Sequence, residues 1–169
     1  MSNPSWSEQL RQSLRRLPTD RPPRVAVVGV GQELNGDDGA GLAVARALGS
    51  RLSSQSRLLI VEAGPAPENQ TGRLRAFGPD LVLFVDAAQM GETPGTVRLL
   101  PWQATTGLSA STHTLPLHIL ARFLTHDLGC DVALLGLQPH QNRVDAPLSD
   151  AMREVVDRVV DDLAALLLA

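Results

Sequence analysis

The chain has 169 residues, of which 43% are hydrophobic and 20% are charged, a composition typical of one globular domain. The formal net charge of -3 argues against a nucleic-acid-binding protein, and no apolar run is long enough to span a bilayer. One cysteine, Cys130, excludes an internal disulfide; with no apolar secretory signal at the N-terminus, we expect a cytoplasmic protein.

The first 23 residues are expected to form a helical extension, and residues 24–169 a single α/β domain. Ser5 and Glu8 fit a capping box at the start of a helix. An apolar stripe follows at helical spacing, formed by Trp6, Leu10, Leu14 and Leu17. We favour a short helix packed on the domain over a segment that binds a partner.

The stretch VAVVGVGQELNGDDGAGLAVARAL, residues 25–48, organises the rest of the chain. Its first four residues are apolar without alternation, which predicts a strand buried on both faces. Gly29 and Gly31 allow a sharp turn, Asp37 and Asp38 follow, and a helical pattern closes the stretch. A strand, a glycine turn and a helix form the opening unit of an open α/β domain, which binds ligands at the carboxyl ends of its strands.

A dinucleotide fingerprint is the obvious alternative for this turn, and it does not fit. Leu34 occupies the position of the third glycine, and two adjacent carboxylates would repel a pyrophosphate at the helix N-terminus. An aspartate at a helix start can also act as a cap, and we assign Asp37 to that role. Two carboxylates in a glycine loop favour a cation site or acid–base chemistry, with Asp38 as the candidate for that role.

Further carboxylates follow the next two predicted strands. The run LLIVEAG, residues 58–64, predicts a strand with Glu62 at its carboxyl end; Glu62 and Glu68 are interpreted as solvated or turn-forming residues. The most apolar run, residues 81–85, predicts a central strand with Asp86 directly after it. If these strands are parallel, Asp86 lies at the same edge of the sheet as Asp38.

The sequence pattern of the second half of the chain predicts two strands and two helices. Residues 96–100 should form a short antiparallel strand, since the preceding connection is too short for a parallel crossover. Ser111 or Thr112 is expected to cap a helix that ends near Leu128, with Pro116 in its first turn. A last strand, residues 132–137, and a helix from about Ser149 complete the chain. Unbroken apolar runs predict a three-layer α/β/α sandwich around a five-stranded, mostly parallel mixed sheet with one antiparallel strand.

Two of the histidines are candidates for the edge of the sheet where Asp38 and Asp86 are predicted to lie. His113 is placed at a helix start, and His140 follows the last predicted strand. His118 and His126 belong to the body of the helix and have no motif around them. Cys130 lacks a neighbouring histidine motif and is interpreted as a small buried hydrophobe. Asp38, Asp86 and one imidazole would suit a divalent ion such as nickel, zinc or manganese, with His113 and His140 both open as its source.

Three segments in order, GVGQELNGDDGAG, VDAAQMGETPG and STHTLPL, resemble the nickel–iron hydrogenase maturation endopeptidases. The resemblance covers about Val25 to Val156. It is strongest to the branch that processes hydrogenase 3, the hydrogenase of formate hydrogen lyase. One departure is Gln32, where the family usually has asparagine.

This resemblance implies an endopeptidase that removes the C-terminal extension of the nickel-loaded hydrogenase large-subunit precursor. It favours Asp38, Asp86 and His113 as the residues that bind the precursor's nickel and perform catalysis, with a water molecule attacking the peptide bond. The nickel would arrive with the precursor, and the free protein could bind another divalent ion.

Two further functions stay open from the sequence. In an aspartic-type hydrolase, Asp38 and Asp86 would share a proton and activate water without a metal in the bond-breaking step. In a non-catalytic nickel chaperone or binding module, the same three ligands would hold the ion and cleave nothing.

Overall fold

Strands and helices alternate along most of the chain. The computed structural model describes residues 2–110 and 115–169. The strands are β1 (Val25–Val30), β2 (Leu58–Gly64), β3 (Leu81–Gln89), β4 (Val97–Pro101), β5 (Ser109–Ala110) and β6 (Asp131–Leu137). The helices are α1 (Trp6–Arg15), α2 (Ala40–Leu52), α3 (Thr71–Phe77), α4 (Leu117–Leu128) and α5 (Asp150–Leu168).

Within the described residues, five strands form a mixed sheet in the order β2-β1-β3-β6-β4. The β1 strand pairs in parallel with β2 and β3, β3 pairs in parallel with β6, and β4 pairs with β6 in the antiparallel direction. The predicted sheet, including its antiparallel member, is therefore confirmed. The two-residue β5 also pairs with the end of β3 and was not predicted, since two residues are too short to show a pattern.

Helices cover both faces of the sheet, and β1 is therefore buried along its whole length. Val25 and Val27 face a core shared with α1, α2 and α5, whereas Ala26 and Val28 face a core shared with α3 and α4. This arrangement confirms the three-layer α/β/α sandwich. No helix in the described ranges is long and apolar enough to cross a membrane.

The N-terminal segment packs against the domain. The Ser5 hydroxyl caps α1 by accepting a hydrogen bond from the Glu8 N–H at 3.2 Å, and Leu10 is fully buried. Further along, both terminal nitrogens of Arg21 donate to the carboxylate of Asp80, at 2.7 and 2.8 Å. This hydrogen-bonded ion pair lowers the pKa of Asp80 and fixes the segment beside the start of β3.

The third strand departs furthest from its predicted bounds. The third strand does not end at Val85 but continues to Gln89, so Asp86 lies within β3 and not after it. The extension has a pairing cause, because the residues after Val85 hydrogen-bond with β6 on one side and β5 on the other.

The start of α4 also differs. The helix begins at Leu117, with Pro116 as its N-cap at φ -56° and ψ 136°, and not near Ser111 or Thr112. A proline disfavours helical backbone in the residue before it, so the helix starts only after Pro116. The prediction that His113 lies at this helix start concerns a residue outside the described ranges.

Candidate active site

Asp38 lies in a single 3-10 turn, Gly36–Gly39, that leads into α2. Its Oδ2 atom accepts a hydrogen bond from the backbone N–H of Gln32 at 3.1 Å, and its own N–H donates to the Asn35 carbonyl at 3.3 Å. The residue is only 2% exposed. Because the bond from Gln32 comes from its backbone, replacing the family's asparagine by glutamine leaves this contact in place.

Asp86 lies just beyond the point where β1, β3 and β6 run side by side. The pairing of β1 with β3 stops at Gly29 and Val85, one residue before Asp86, whereas β6 continues beside it with Gly136. The side chain is fully buried. An aspartate at this point of a buried strand lies beside the turn that leaves β1.

Two glycines bring the turn with Asp38 against Asp86. Gly31 has a φ of 136°, and a Cβ atom there would lie 2.0 Å from the Asp38 carbonyl oxygen and 3.7 Å from Asp86 Oδ1. At Gly41, in the first turn of α2, a Cβ atom would lie 2.1 Å from the Val85 carbonyl oxygen. Only glycine permits these approaches. The structure therefore places the backbone carbonyl of Asp38 and the carboxylate of Asp86 next to Gly31, and both aspartates are buried.

Asp37 has a different role from its neighbour. Its fully buried carboxylate accepts hydrogen bonds from the N–H groups of His140 at 2.8 Å, Gln141 at 3.1 Å and Ser149 at 2.8 Å, and from the Ser149 hydroxyl at 3.0 Å. These contacts join the loop after β6 and the start of α5 to the turn that carries Asp38. The cap role expected for Asp37 is not observed, because neither its own turn nor α2 has a side-chain capping bond. Its carboxylate instead clamps distant segments together.

The four histidines are distributed over different parts of the molecule. His113 lies outside the described residues, so its membership of the site stays a prediction. His140 is exposed, and its Nε2 would lie 3.2 Å from a Cβ atom at Gly95. Across the residues that the structure describes, no three His, Cys, Asp or Glu side chains are grouped so that they could hold a metal ion. His140 therefore does not complete a ligand set with Asp38 and Asp86, while His118 and His126 lie on α4.

The remaining candidates are accounted for by structural contacts. Glu62 is an exposed partner of Arg46, at 2.8 Å, and the same guanidinium also pairs with Glu33. Cys130 is 2% exposed, and burial raises the pKa of its thiol to about 11. A thiol that stays protonated at neutral pH is a poor nucleophile, which agrees with its interpretation as a buried hydrophobe.

Gln138 supports the same edge of the sheet and was missed in the sequence. Its side-chain oxygen accepts the N–H of Met90 at 2.7 Å, and its nitrogen donates to the Gln89 side chain at 2.8 Å. The residue thereby ties the end of β6 to the end of β3. No local sequence signal marks it, because its partners are almost fifty positions away.

Comparison with known proteins identifies the family. A family model described as hydrogenase maturation protease matches residues 42–166, which is most of the chain. The chain belongs to the hydrogenase maturation protease family. The hydrogenase 3 maturation protease of Escherichia coli strain K12 is 32% identical over 135 residues, covering 79% of this chain and 85% of that protein.

Solved structures of the family have the same fold. The NiFe hydrogenase maturation protease HycI from Thermococcus kodakarensis KOD1 has a TM-score of 0.85 at 32% identity, covering 95% of this chain and 99% of that one. The endopeptidase HycI from Escherichia coli has a TM-score of 0.68 at 29% identity, covering 81% and 86%. The chain is accordingly an endopeptidase.

Proposed function

We propose that this endopeptidase removes the C-terminal extension of the large-subunit precursor of a NiFe hydrogenase of the hydrogenase 3 type. The support is the 32% identity to the Escherichia coli hydrogenase 3 maturation protease over most of both chains. A single, buried cysteine fits action in the reducing cytoplasm, where such a precursor would be made.

The observation that carries the proposal is that two buried aspartates, Asp38 and Asp86, both lie next to Gly31. Carboxylate oxygens are suitable ligands for a divalent ion. Nickel already inserted in the precursor would bring that ion to them, so the metal enters as part of the substrate. Only a precursor that carries nickel would then be held in the cleaving position.

The roles of the residues follow from this arrangement. Asp38 and Asp86 bind the precursor's nickel, and His113 is proposed as the nitrogen ligand that completes the set. The bound precursor is oriented with its scissile carbonyl beside the carboxylates, and a water molecule attacks that carbon. The proton of the attacking water passes to a carboxylate, which then returns a proton to the leaving amine. Asp37 keeps the turn in place and takes no part in the proton transfers.

The metal-independent aspartic-type mechanism is the second candidate. It is favoured by one observation: two buried aspartates, Asp38 and Asp86, both lie next to Gly31. In that mechanism neither binding nor the bond-breaking step would need nickel, so a nickel-free precursor would still be cleaved.

A direct experiment follows the mass of a purified large-subunit precursor during incubation with this protein. With nickel in the precursor, we expect the loss of one fixed C-terminal fragment, and after complete removal of nickel we expect none. A fixed fragment released at an unchanged rate from the nickel-free precursor would favour the aspartic-type mechanism. No shortening under any nickel condition would contradict the proposed function.

A further inference from the structure

Two loops beside the turn of Asp38 each present a large apolar side chain to solvent. Leu34 is 65% exposed and Val144 is 77% exposed, the two highest values for large hydrophobic residues in the described part of the chain. A single exposed apolar residue is common, but two on adjoining loops next to a candidate active site indicate a binding surface. We call Leu34 and Val144 together the apolar rim.

The two loops form one fixed surface. Asn35 and Ala146 form an isolated parallel bridge, and the Gly36 N–H donates to the Ala146 carbonyl at 3.0 Å. The Asp37 N–H donates to the Gln141 carbonyl at 2.9 Å, and the Asp37 carboxylate accepts the Gln141 N–H in return. Because these bonds lie on both sides of Val144 and directly after Leu34, they hold the two loops together before any partner binds.

The backbone at Leu34 indicates that the fold does not require a leucine. Leu34 has a φ of 59°, in the left-handed region that disfavours residues with a Cβ atom. Asparagine or glycine would be accommodated there more easily, since a left-handed conformation costs other residues roughly 1–2 kcal/mol. Leu34 accepts this cost and stays 65% exposed in the protein alone, which fits a side chain whose apolar contact is made with a partner.

The charges around the apolar rim do not select an acidic or a basic partner. Glu33 pairs with Arg46, which also pairs with Glu62. Beside Val144, the exposed Arg143 and Asp145 carry opposite charges. A neutral, apolar partner segment matches this surface, because a charged one would gain attraction from one neighbour and repulsion from the next.

The position of the apolar rim identifies its occupant. Leu34 lies between Gln32, whose N–H bonds to the Asp38 carboxylate, and Asn35, whose carbonyl accepts the Asp38 N–H. A chain lying on Leu34 therefore continues directly to the candidate active site. We propose that the apolar rim docks an uncharged, apolar segment of the hydrogenase precursor next to its scissile bond, an inference that rests on the proposed function.

Leu34→Asn and Val144→Thr test this proposal, with Leu168→Asn as the matched control. Asparagine suits the left-handed backbone at Leu34, so this variant removes the apolar contact without loss of thermal stability. Leu168 is a 51% exposed leucine at the end of α5, where Arg57 binds the adjacent carbonyl at the opposite edge of the sheet. The control thus removes an exposed leucine far from Asp38.

Two quantities are measured for each variant: the KM and kcat of precursor processing, and the Kd of precursor binding. We expect KM and Kd to rise about tenfold for Leu34→Asn and about threefold for Val144→Thr, with kcat unchanged and Leu168→Asn equal to wild type. Unchanged KM and Kd in both rim variants would overturn the docking proposal while leaving the proposed function intact. A wild-type protein that neither binds nor shortens the precursor would overturn both.

Discussion

The carboxylate of Asp37 accepts both the backbone N–H and the hydroxyl of Ser149, at 2.8 and 3.0 Å. Ser149 in turn caps α5 by accepting the N–H of Met152 at 3.2 Å. The first residue of the Asp37–Asp38 pair therefore fixes the longest described helix to the turn, while the carboxylate of the second accepts the Gln32 N–H beside Gly31. Two adjacent and chemically identical residues have different tasks because they point in different directions from one turn.

Asp37→Asn should destabilise the fold more than it impairs chemistry. An asparagine has one acceptor oxygen for the four donors that face Asp37, and its amide group would meet N–H groups. We expect a loss of about 2 kcal/mol in the free energy of unfolding, measured in urea, with precursor processing retained by the folded fraction.

Asp161→Asn is the matched control for that measurement. Asp161 pairs with Arg51 at 2.7 Å, and its side chain is 72% exposed. An exposed pair contributes roughly 0–1 kcal/mol, so this variant should unfold close to wild type. An Asp37 variant as stable as the Asp161 variant would contradict the clamp role.

Gly41→Ala should disturb both stability and activity. A Cβ atom there would meet the backbone carbonyls of Val85 and Val30 at 2.1 and 2.3 Å, so α2 must move away from the sheet and take Asp38 with it. We expect a loss of about 1–3 kcal/mol in the free energy of unfolding and slower precursor processing.

The same helix supplies the control for Gly41. At Gly49 a Cβ atom would meet only the Ile60 side chain, at 3.8 Å, which is an ordinary contact. Gly49→Ala should therefore stabilise the protein by roughly 0.5–1 kcal/mol, because alanine favours helix over glycine, and processing should stay at the wild-type rate. Equal stability for Gly41→Ala and Gly49→Ala would contradict the prediction that α2 must approach β1 and β3 closely at Gly41.

The sequence predicted the sheet well, because the strands bury both faces. The apolar runs from Val25 and from Leu81 have no polar residue to place at a surface, and the short connection before Val97 permits only an antiparallel return. Boundaries were predicted less well. The extension of β3 to Gln89 depends on pairing with residues from about twenty to fifty positions away, and no local pattern contains that information.

The candidate site was predictable in part, where a local sequence pattern marked its residues. A glycine-rich turn with two carboxylates marked Asp38 as a candidate, and the end of a buried strand marked Asp86. The clamp by Asp37 and the apolar rim were not visible, because both depend on the loop of residues 139–147, which lies about one hundred positions further along the chain. The place of His113 stays a prediction.

Cys130 should make stability depend on pH in the alkaline range. Burial raises the pKa of its thiol from about 9 to about 11, so the folded state keeps a proton that the unfolded state loses. The stability that this thiol contributes is complete below about pH 9 and is lost as the pH rises towards 11, by on the order of 2–3 kcal/mol. Urea unfolding of wild type and Cys130→Ala between pH 7 and 11 measures it, and a pH-independent difference between them would contradict this prediction.

The most direct test of the central claim is the mass of the nickel-loaded precursor after incubation with variants of the two buried carboxylates. An amide is a weaker ligand for a divalent ion and cannot accept the proton of water, so Asp38→Asn and Asp86→Asn should slow processing roughly 100-fold or more. His113→Ala should do the same, while His118→Ala should release the same fragment at the wild-type rate. Circular dichroism should show the wild-type fold for all four variants. Full cleavage by the Asp38 variant, or an inactive, folded Asp37 variant beside an active Asp38 one, would contradict this assignment of the active carboxylate.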